Sequence, residues 1–260
     1  MPHPPGLAQT TVGQGWTPAA LGVLERSAAH YGGREAWRAI RTIRLVPDRV
    51  SGSLPWLKGA GRTFPIPAAF EVLPSEGVTR FVSYPDQRHV GIFQDGRVWI
   101  ERIDDARVVA EAAAHRDSFR GLRKYRRWAP LDALYFFGYA LTHYHSLPFS
   151  LTDGRLVTAA VVRSQGDRLD ALEVDLPAGL HTHCPRQTFY FGPTGQIVRH
   201  DYHAEIVGWW ASGAHFWRRP VSVNGFPIAM ERHVTLRLGR TAWPPVALHV
   251  TFRGAEVELF

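Results

Sequence analysis

Gln187-Thr-Phe-Tyr-Phe-Gly-Pro-Thr-Gly-Gln-Ile-Val-Arg-His-Asp-Tyr-His-Ala-Glu205 reads as two strands around a tight Gly-Pro-Thr-Gly connection. So short a connection makes the strands antiparallel. A symmetric loop about Pro193-Thr194 pairs Phe191 with Gln196, Phe189 with Val198 and Gln187 with His200. Side chains alternate between faces. One face then carries Phe189, Phe191, Val198, His200, Tyr202, Ala204 and Ile206, with Gln187 beside His200. The other carries Arg186, Thr188, Arg199, Asp201, His203 and Glu205, with Asp201 across from Arg186. The apolar face is the core or cavity side.

The same texture extends in both directions. Upstream, strands are expected over 69–73, 78–84, 89–94 and 98–103 as a meander, with Asp95-Gly96 as a hairpin turn. Downstream and around the quoted hairpin, strands are expected over 156–163, 169–175, 220–223, 228–236 and 247–259. Helices interrupt this pattern. Thr17 suits an N-cap and Pro18 the first helical position, and Leu21, Leu24, Ala28 and Tyr31 recur on one face until Gly32-Gly33. A short helix over 34–40 follows, and then a loop rich in Pro and Gly that carries Trp56 and reads as a lid or rim. A helical section is expected from 106 to 145, broken near Pro130. Its second part, with Leu131, Leu134, Tyr135, Phe136, Phe137, Tyr139, Leu141 and Tyr144, is apolar nearly all round and so belongs in the interior. Residues 1–15 read as a flexible arm and 16–260 as a single domain, with no internal repeat.

Composition narrows the function classes. Hydrophobic residues make up 45% of 260, with 9 Trp, 14 Phe and 8 Tyr, enough for a large core. Cys184 is the one cysteine, so there is no internal disulfide and no CxxC pair; a buried, inert thiol is expected. The start lacks the pattern of a secretory signal and no long apolar run spans a bilayer, which gives a cytoplasmic expectation. Net charge is +7, with the densest basic run at Arg116, Arg120, Arg123, Lys124, Arg126 and Arg127. That run reads as the solvated face of a helix. No nucleic-acid motif accompanies it, so nucleic acid is not an expected partner.

The stretch from Leu24 to Leu45, Leu-Glu-Arg-Ser-Ala-Ala-His-Tyr-Gly-Gly-Arg-Glu-Ala-Trp-Arg-Ala-Ile-Arg-Thr-Ile-Arg-Leu, resembles the start of proteins in the bacterial lipoprotein-localisation-factor superfamily. The 187–205 stretch looks like a segment of uncharacterised bacterial members. The resemblance implies an α+β, mostly antiparallel fold: a curved half-barrel sheet with helices packed on its concave side and an apolar cavity between. It carries no functional residues over, because function is grafted onto folds.

Candidate chemistry comes from the residues themselves. His200 with Tyr202 and Gln187 on an apolar face is either a satisfied core network or a polar cluster aimed at a ligand. Asp201 and His203 are its secondary acid–base candidates. Phe189, Phe137, Tyr139, Tyr144 and Trp56 are candidate ligand-lining aromatics. The pairs His143/His145, His181/His183 and His200/His203 lack a metal-binding framework, and Walker, dinucleotide and Gly-x-Ser-x-Gly motifs are absent, so neither metal nor cofactor is expected. Two readings remain. The first is a binder of a hydrophobic or polycyclic small molecule or acyl chain. The second is a cofactor-independent cyclase, isomerase or lyase using His200 and Tyr202 in the same cavity.

Overall fold

The computed structural model describes residues 15–164 and 166–260, so the expected arm lies, Gly15 apart, outside the described residues. In chain order the elements are α1 (Pro18–His30), α2 (Gly33–Arg38), β1 (Ile40–Ser51), α3 (Ser53–Lys58), β2 (Ala69–Leu73), β3 (Val78–Val82), β4 (His89–Gln94), β5 (Arg97–Arg102) and β6 (Val108–Ala112). Then come α4 (Pro130–Ser146), β7 (Arg155–Ser164), β8 (Asp167–Asp175), β9 (Arg186–Phe191), β10 (Ile197–His203), β11 (Ser212–Val223), β12 (Phe226–Leu238) and β13 (Thr241–Leu259). Among the described residues all 13 strands join one sheet in the order β6-β5-β4-β3-β2-β1-β13-β12-β11-β10-β9-β8-β7. Neighbours are antiparallel throughout. The sheet is open, with β6 and β7 at its edges. The first and last strands meet at its centre, where Ile40 opposes Leu259.

The helices cover the concave face. In α1 the Thr17 hydroxyl accepts from the Ala20 N–H at 3.2 Å, and Pro18 follows it. Its buried face is Ala20, Val23, Leu24 and Ser27, which shares Leu24 with the Leu21, Leu24, Ala28 and Tyr31 stripe read from the sequence but is rotated from the rest of it. It packs on Leu172, Val174, Phe189 and Phe191 of β8 and β9. Helix α4 lies over β2 to β6 and is buried on most sides. Gly138 explains why a glycine sits mid-helix: a Cβ there would stand 2.4 Å from the Phe93 Cβ, so the helix backbone rests directly on β4.

Residues 106–129 form no α-helix. Val108 and Val109 are β-branched and extend the sheet as its edge strand β6, and the basic run is spread over and between two 3₁₀ turns, His115–Phe119 with Arg116 and Gly121–Tyr125 with Arg123 and Lys124. Nor is that run wholly solvated. Arg116 donates to the Thr182 carbonyl at 2.8 Å and to the Glu205 carboxylate at 2.5 Å, while Arg123 forks onto Asp132 at 2.7 Å. These bonds to distant parts of the chain hold the stretch in its observed course. Strands β11 and β13 start earlier than read, at Ser212 and Thr241.

The hairpin register also differs. Phe191 opposes Ile197 and Phe189 opposes His200, with a bulge that leaves Val198 as the extra residue. Ile197 therefore faces the core and Val198 packs on the outer-face cluster of Leu169, Ala171 and Tyr190. Arg186 pairs with Asp175 at 2.6 Å, not with Asp201. The loop carrying Trp56 contains α3, and Trp56 is 65% exposed.

Candidate functional site

Strand alternation delivers a set of polar rings to the concave face opposite the C-terminal half of α4. β9 supplies Gln187 and Phe189, β10 supplies His200 and Tyr202, and β11 supplies His215 and Trp217. β12 supplies Met230, Arg232 and Val234. Helix α4 contributes Tyr139, His143 and Tyr144, and the segment before β9 contributes His183. Except Trp217, all of these are buried.

His183 is fully satisfied. Its Nδ1 lies 2.9 Å from the Tyr139 hydroxyl and its Nε2 2.6 Å from the Tyr144 hydroxyl, and its ring stacks on Tyr202 at 3.9 Å. A neutral imidazole offers one donor and one acceptor, so one tyrosine donates to it and the other accepts. His200 is different. It stacks on Phe189 at 5.4 Å and neighbours Tyr144 and His215 at 5.3 and 5.0 Å between centroids. Neither of its ring nitrogens has a hydrogen-bond partner in the protein, and the same holds for His215. His143 stands beside the Gln187 amide without meeting hydrogen-bond geometry. Buried polar groups normally pair, so unpaired nitrogens at the centre of one cluster single it out.

Burial sets the charge state. It holds His200, His215 and His183 well below the usual histidine range, with neighbouring positive charge acting the same way, and it lowers His143 to about 4. It also pushes the Tyr139 and Tyr202 hydroxyls well above 10. At neutral pH the cluster therefore consists of neutral donors and acceptors. The exception is Arg232, which burial brings down only to about 10. Its guanidinium lies 3.8 Å from the Trp217 ring centroid and 5.5 Å from that of Tyr144. Its Nε and Nη1 are unpaired, and among the described residues no carboxylate lies within salt-bridge distance of it. A buried cation without an anion is costly in a low-dielectric interior.

Two narrow clefts flank the cluster. One of about 30 Å³ lies between α2, the end of α4 and β12, lined by Trp37, Tyr144, Trp217, Phe226, Ile228 and Arg232. The other, also about 30 Å³, is lined by Leu54 of α3, Phe136, Tyr202, Val234 and Leu248. Each holds on the order of one water molecule. At these two places aromatic and histidine side chains take up most of the space expected to be an open apolar cavity. Larger grooves exist elsewhere. One of about 760 Å³ runs between α1 and β7–β8, and one of about 510 Å³ lies at the N-terminus of α4. In the first, Arg26 pairs with Asp170 at 2.6 Å, and in the second Asp132 pairs with His115 at 2.8 Å and Arg123 at 2.7 Å.

The sequence-derived candidates separate accordingly. His200, Tyr202, Gln187, Phe189, Tyr139 and Tyr144 come together on the concave side. Asp201 lies on the opposite face, forked by Arg199 at 2.6 and 2.8 Å and receiving the Tyr190 hydroxyl at 3.0 Å. His203 sits 3.4 Å from the Ser212 hydroxyl and away from His200, as strand alternation requires. Phe137 packs toward Phe70 at 6.4 Å, and exposed Trp56 stays outside. The thiol of Cys184 is buried against the Arg186 carbonyl and its pKa is pushed up to about 11, which makes it inert. The sequence weighed His143 and His183 only as members of metal-candidate pairs, and it passed over His215 and Arg232. For Arg232 a signal existed: it interrupts the alternating apolar set Ile228, Met230, Val234 and Leu236.

No family model and no curated protein matches the chain. Solved structures similar to it include a DUF1329 family protein from Desulfovibrio piger, 10% identical, covering 93% of this chain and 94% of its own, with a TM-score of 0.46. A domain described as a candidate outer membrane lipoprotein-sorting protein from Vibrio parahaemolyticus is 12% identical over 92% of each chain, with a TM-score of 0.48. A LolA superfamily protein from Nitrosomonas europaea is 8% identical, covering 93% of this chain and 94% of its own, with a TM-score of 0.47. Likeness at this level carries no information about ligand or chemistry.

Proposed function

We propose that the protein binds an amphiphile, an apolar body bearing one carboxylate, between α2, the end of α4 and strands β11 and β12. Arg232 is the observation that carries this reading: a buried guanidinium stacked on Trp217, without an acidic partner among the described residues, at the wall of an apolar cleft. A carboxylate entering that cleft supplies the missing counter-charge in a charge-assisted, bidentate geometry suited to arginine. The neutral, unpaired nitrogens of His200 and His215 offer further hydrogen bonds to a polar end group, and the surrounding rings accept the apolar body. A cleft of about 30 Å³ is too small for such a ligand, so binding is accompanied by displacement of side chains between α2, α4 and β12.

The enzyme reading draws on one specific observation, the two unpaired nitrogens of His200. An imidazole held so far below the usual range is a weak base at neutral pH, which ranks binding above acid–base catalysis. The test compares wild type with Arg232→Met in titrations with a fluorescent fatty acid and with its methyl ester. The expected result is that wild type binds the acid better than the ester, and that Arg232→Met loses this preference while remaining folded. Removal of an unpaired buried charge also raises the ligand-free stability, by about 1–4 kcal/mol on the scale seen when buried ions give way to apolar side chains. Equal binding of acid and ester by wild type overturns the carboxylate assignment.

A further inference from the structure

On the outer face of the same strands, away from the proposed ligand cleft, a second cluster is unassigned. His233 of β12 and His249 of β13 stand directly opposite each other in the ladder, and Glu231 lies two residues before His233 on the same face. Met230, Arg232 and Val234 point the other way, into the core, which fixes these three side chains on the outside. One ligand atom from each, two ring nitrogens and a carboxylate oxygen, lie within 4.8 Å of one another. His249 Nε2 is 3.1 Å from Glu231 Oε1, and the two imidazole centroids are 5.4 Å apart.

We propose that Glu231, His233 and His249 form a binding site for a divalent transition metal, with Zn²⁺ the cation that suits the donor set. Ligand atoms about 2.0–2.1 Å from a tetrahedral Zn²⁺ are roughly 3.3 Å from each other. The His249–Glu231 pair already has that spacing, and a rotation of the His233 ring brings in the third atom. Two histidines and one carboxylate leave a fourth position open to water or to an outside ligand, as in catalytic rather than structural zinc sites. The donors sit on paired strands, so their backbone positions are set before the metal arrives. Partial exposure, 28% for the His249 side chain and 17% for Glu231, leaves the site reachable from solvent. One feature opposes the metal. The Arg218 guanidinium of β11 stands 3.8 Å from Glu231 Oε1 and neutralises it. Its side chain is 45% exposed, so solvent can take it up when a cation displaces it.

Calorimetric titration of the tag-free full chain with Zn²⁺ in chelator-free buffer tests this, alongside Co²⁺ absorption spectra. One Zn²⁺ per chain is expected. His233→Ala and His249→Ala are each expected to weaken it by at least about tenfold, the lower end of what even outer-shell changes cause. Both variants are expected to keep the wild-type circular dichroism. Arg218→Gln is expected to tighten binding, a gain that adventitious chelation by scattered histidines does not produce. Absence of stoichiometric binding in wild type overturns the proposal, as does affinity unchanged in both histidine variants.

Discussion

His143, His145, His183, His200 and His215 are all buried, and burial makes each a weaker base than a free histidine. The sign of the consequence follows from linkage. Below pH 6.5 the unfolded chain takes up protons that the folded chain refuses, so stability is full above that value and falls as pH drops toward the folded pKa values. For His143 and His145 those are about 4, and for the other three the direction is the same. Each group costs up to about 1.4 kcal/mol per pH unit across that window. The urea midpoint is therefore expected to fall steeply from pH 6.5 toward about 4, and the slope is expected to lessen in His215→Phe; a flat profile contradicts the neutral-cluster picture. How these residues were or were not legible follows from where they sit. The side of His200 could be read because strand alternation is local. His183 could not, because it precedes β9 in an irregular segment and reaches α4 only through tertiary contact.

At the scale of elements, the N-terminus of α4 shows a different economy of charge. Asp132 is 0% exposed. Its carboxylate accepts from the Ala129 N–H at 2.8 Å, from His115 Nε2 at 2.8 Å and from Arg123 at 2.7 Å. Burial alone raises a carboxyl pKa, but these three donors hold Asp132 below the usual range. One side chain thus caps the helix and fastens both 3₁₀ turns to it. Asp132→Ala removes the cap and strands Arg123 and His115, and is expected to cost about 3–5 kcal/mol. Thermal unfolding of this variant beside Asp132→Asn measures it, and a loss under about 1 kcal/mol, the worth of an exposed pair, contradicts the assignment. The sequence reading extended the helix through 106–129 and set the basic run on it. What decided otherwise was bonding to partners far along the chain, Arg116 to the 182–183 carbonyls and Val108 to β5, which no local pattern contains.

For the whole molecule, the question is how far 13 strands in one sheet act together. The strands at its centre, β1 and β13, come from opposite ends of the chain, so the sheet is continuous only when both are in place. Helix α4 adds a second tie, lying on β2 to β6 while Tyr144 reaches His200 and His215 of β10 and β11. These parts share the larger core cluster, whereas α1 with β8 and β9 belongs to a separate one. That division was invisible from composition, which showed enough apolar material for one core but not where it would part. Phe252 of β13 meets Phe70 of β2 edge to face at 6.5 Å across β1, and Phe70 continues to Phe81 at 4.9 Å. Phe252→Ala removes a buried ring and is expected to cost about 3–5 kcal/mol. If the larger cluster opens as one unit, hydrogen exchange in this variant accelerates to the same extent in β2 to β5 and in β11 to β13, while β7 and β8 keep their wild-type rates. Acceleration confined to β13 and its two neighbours refutes the shared core, and equal acceleration in β7 and β8 refutes the division into two.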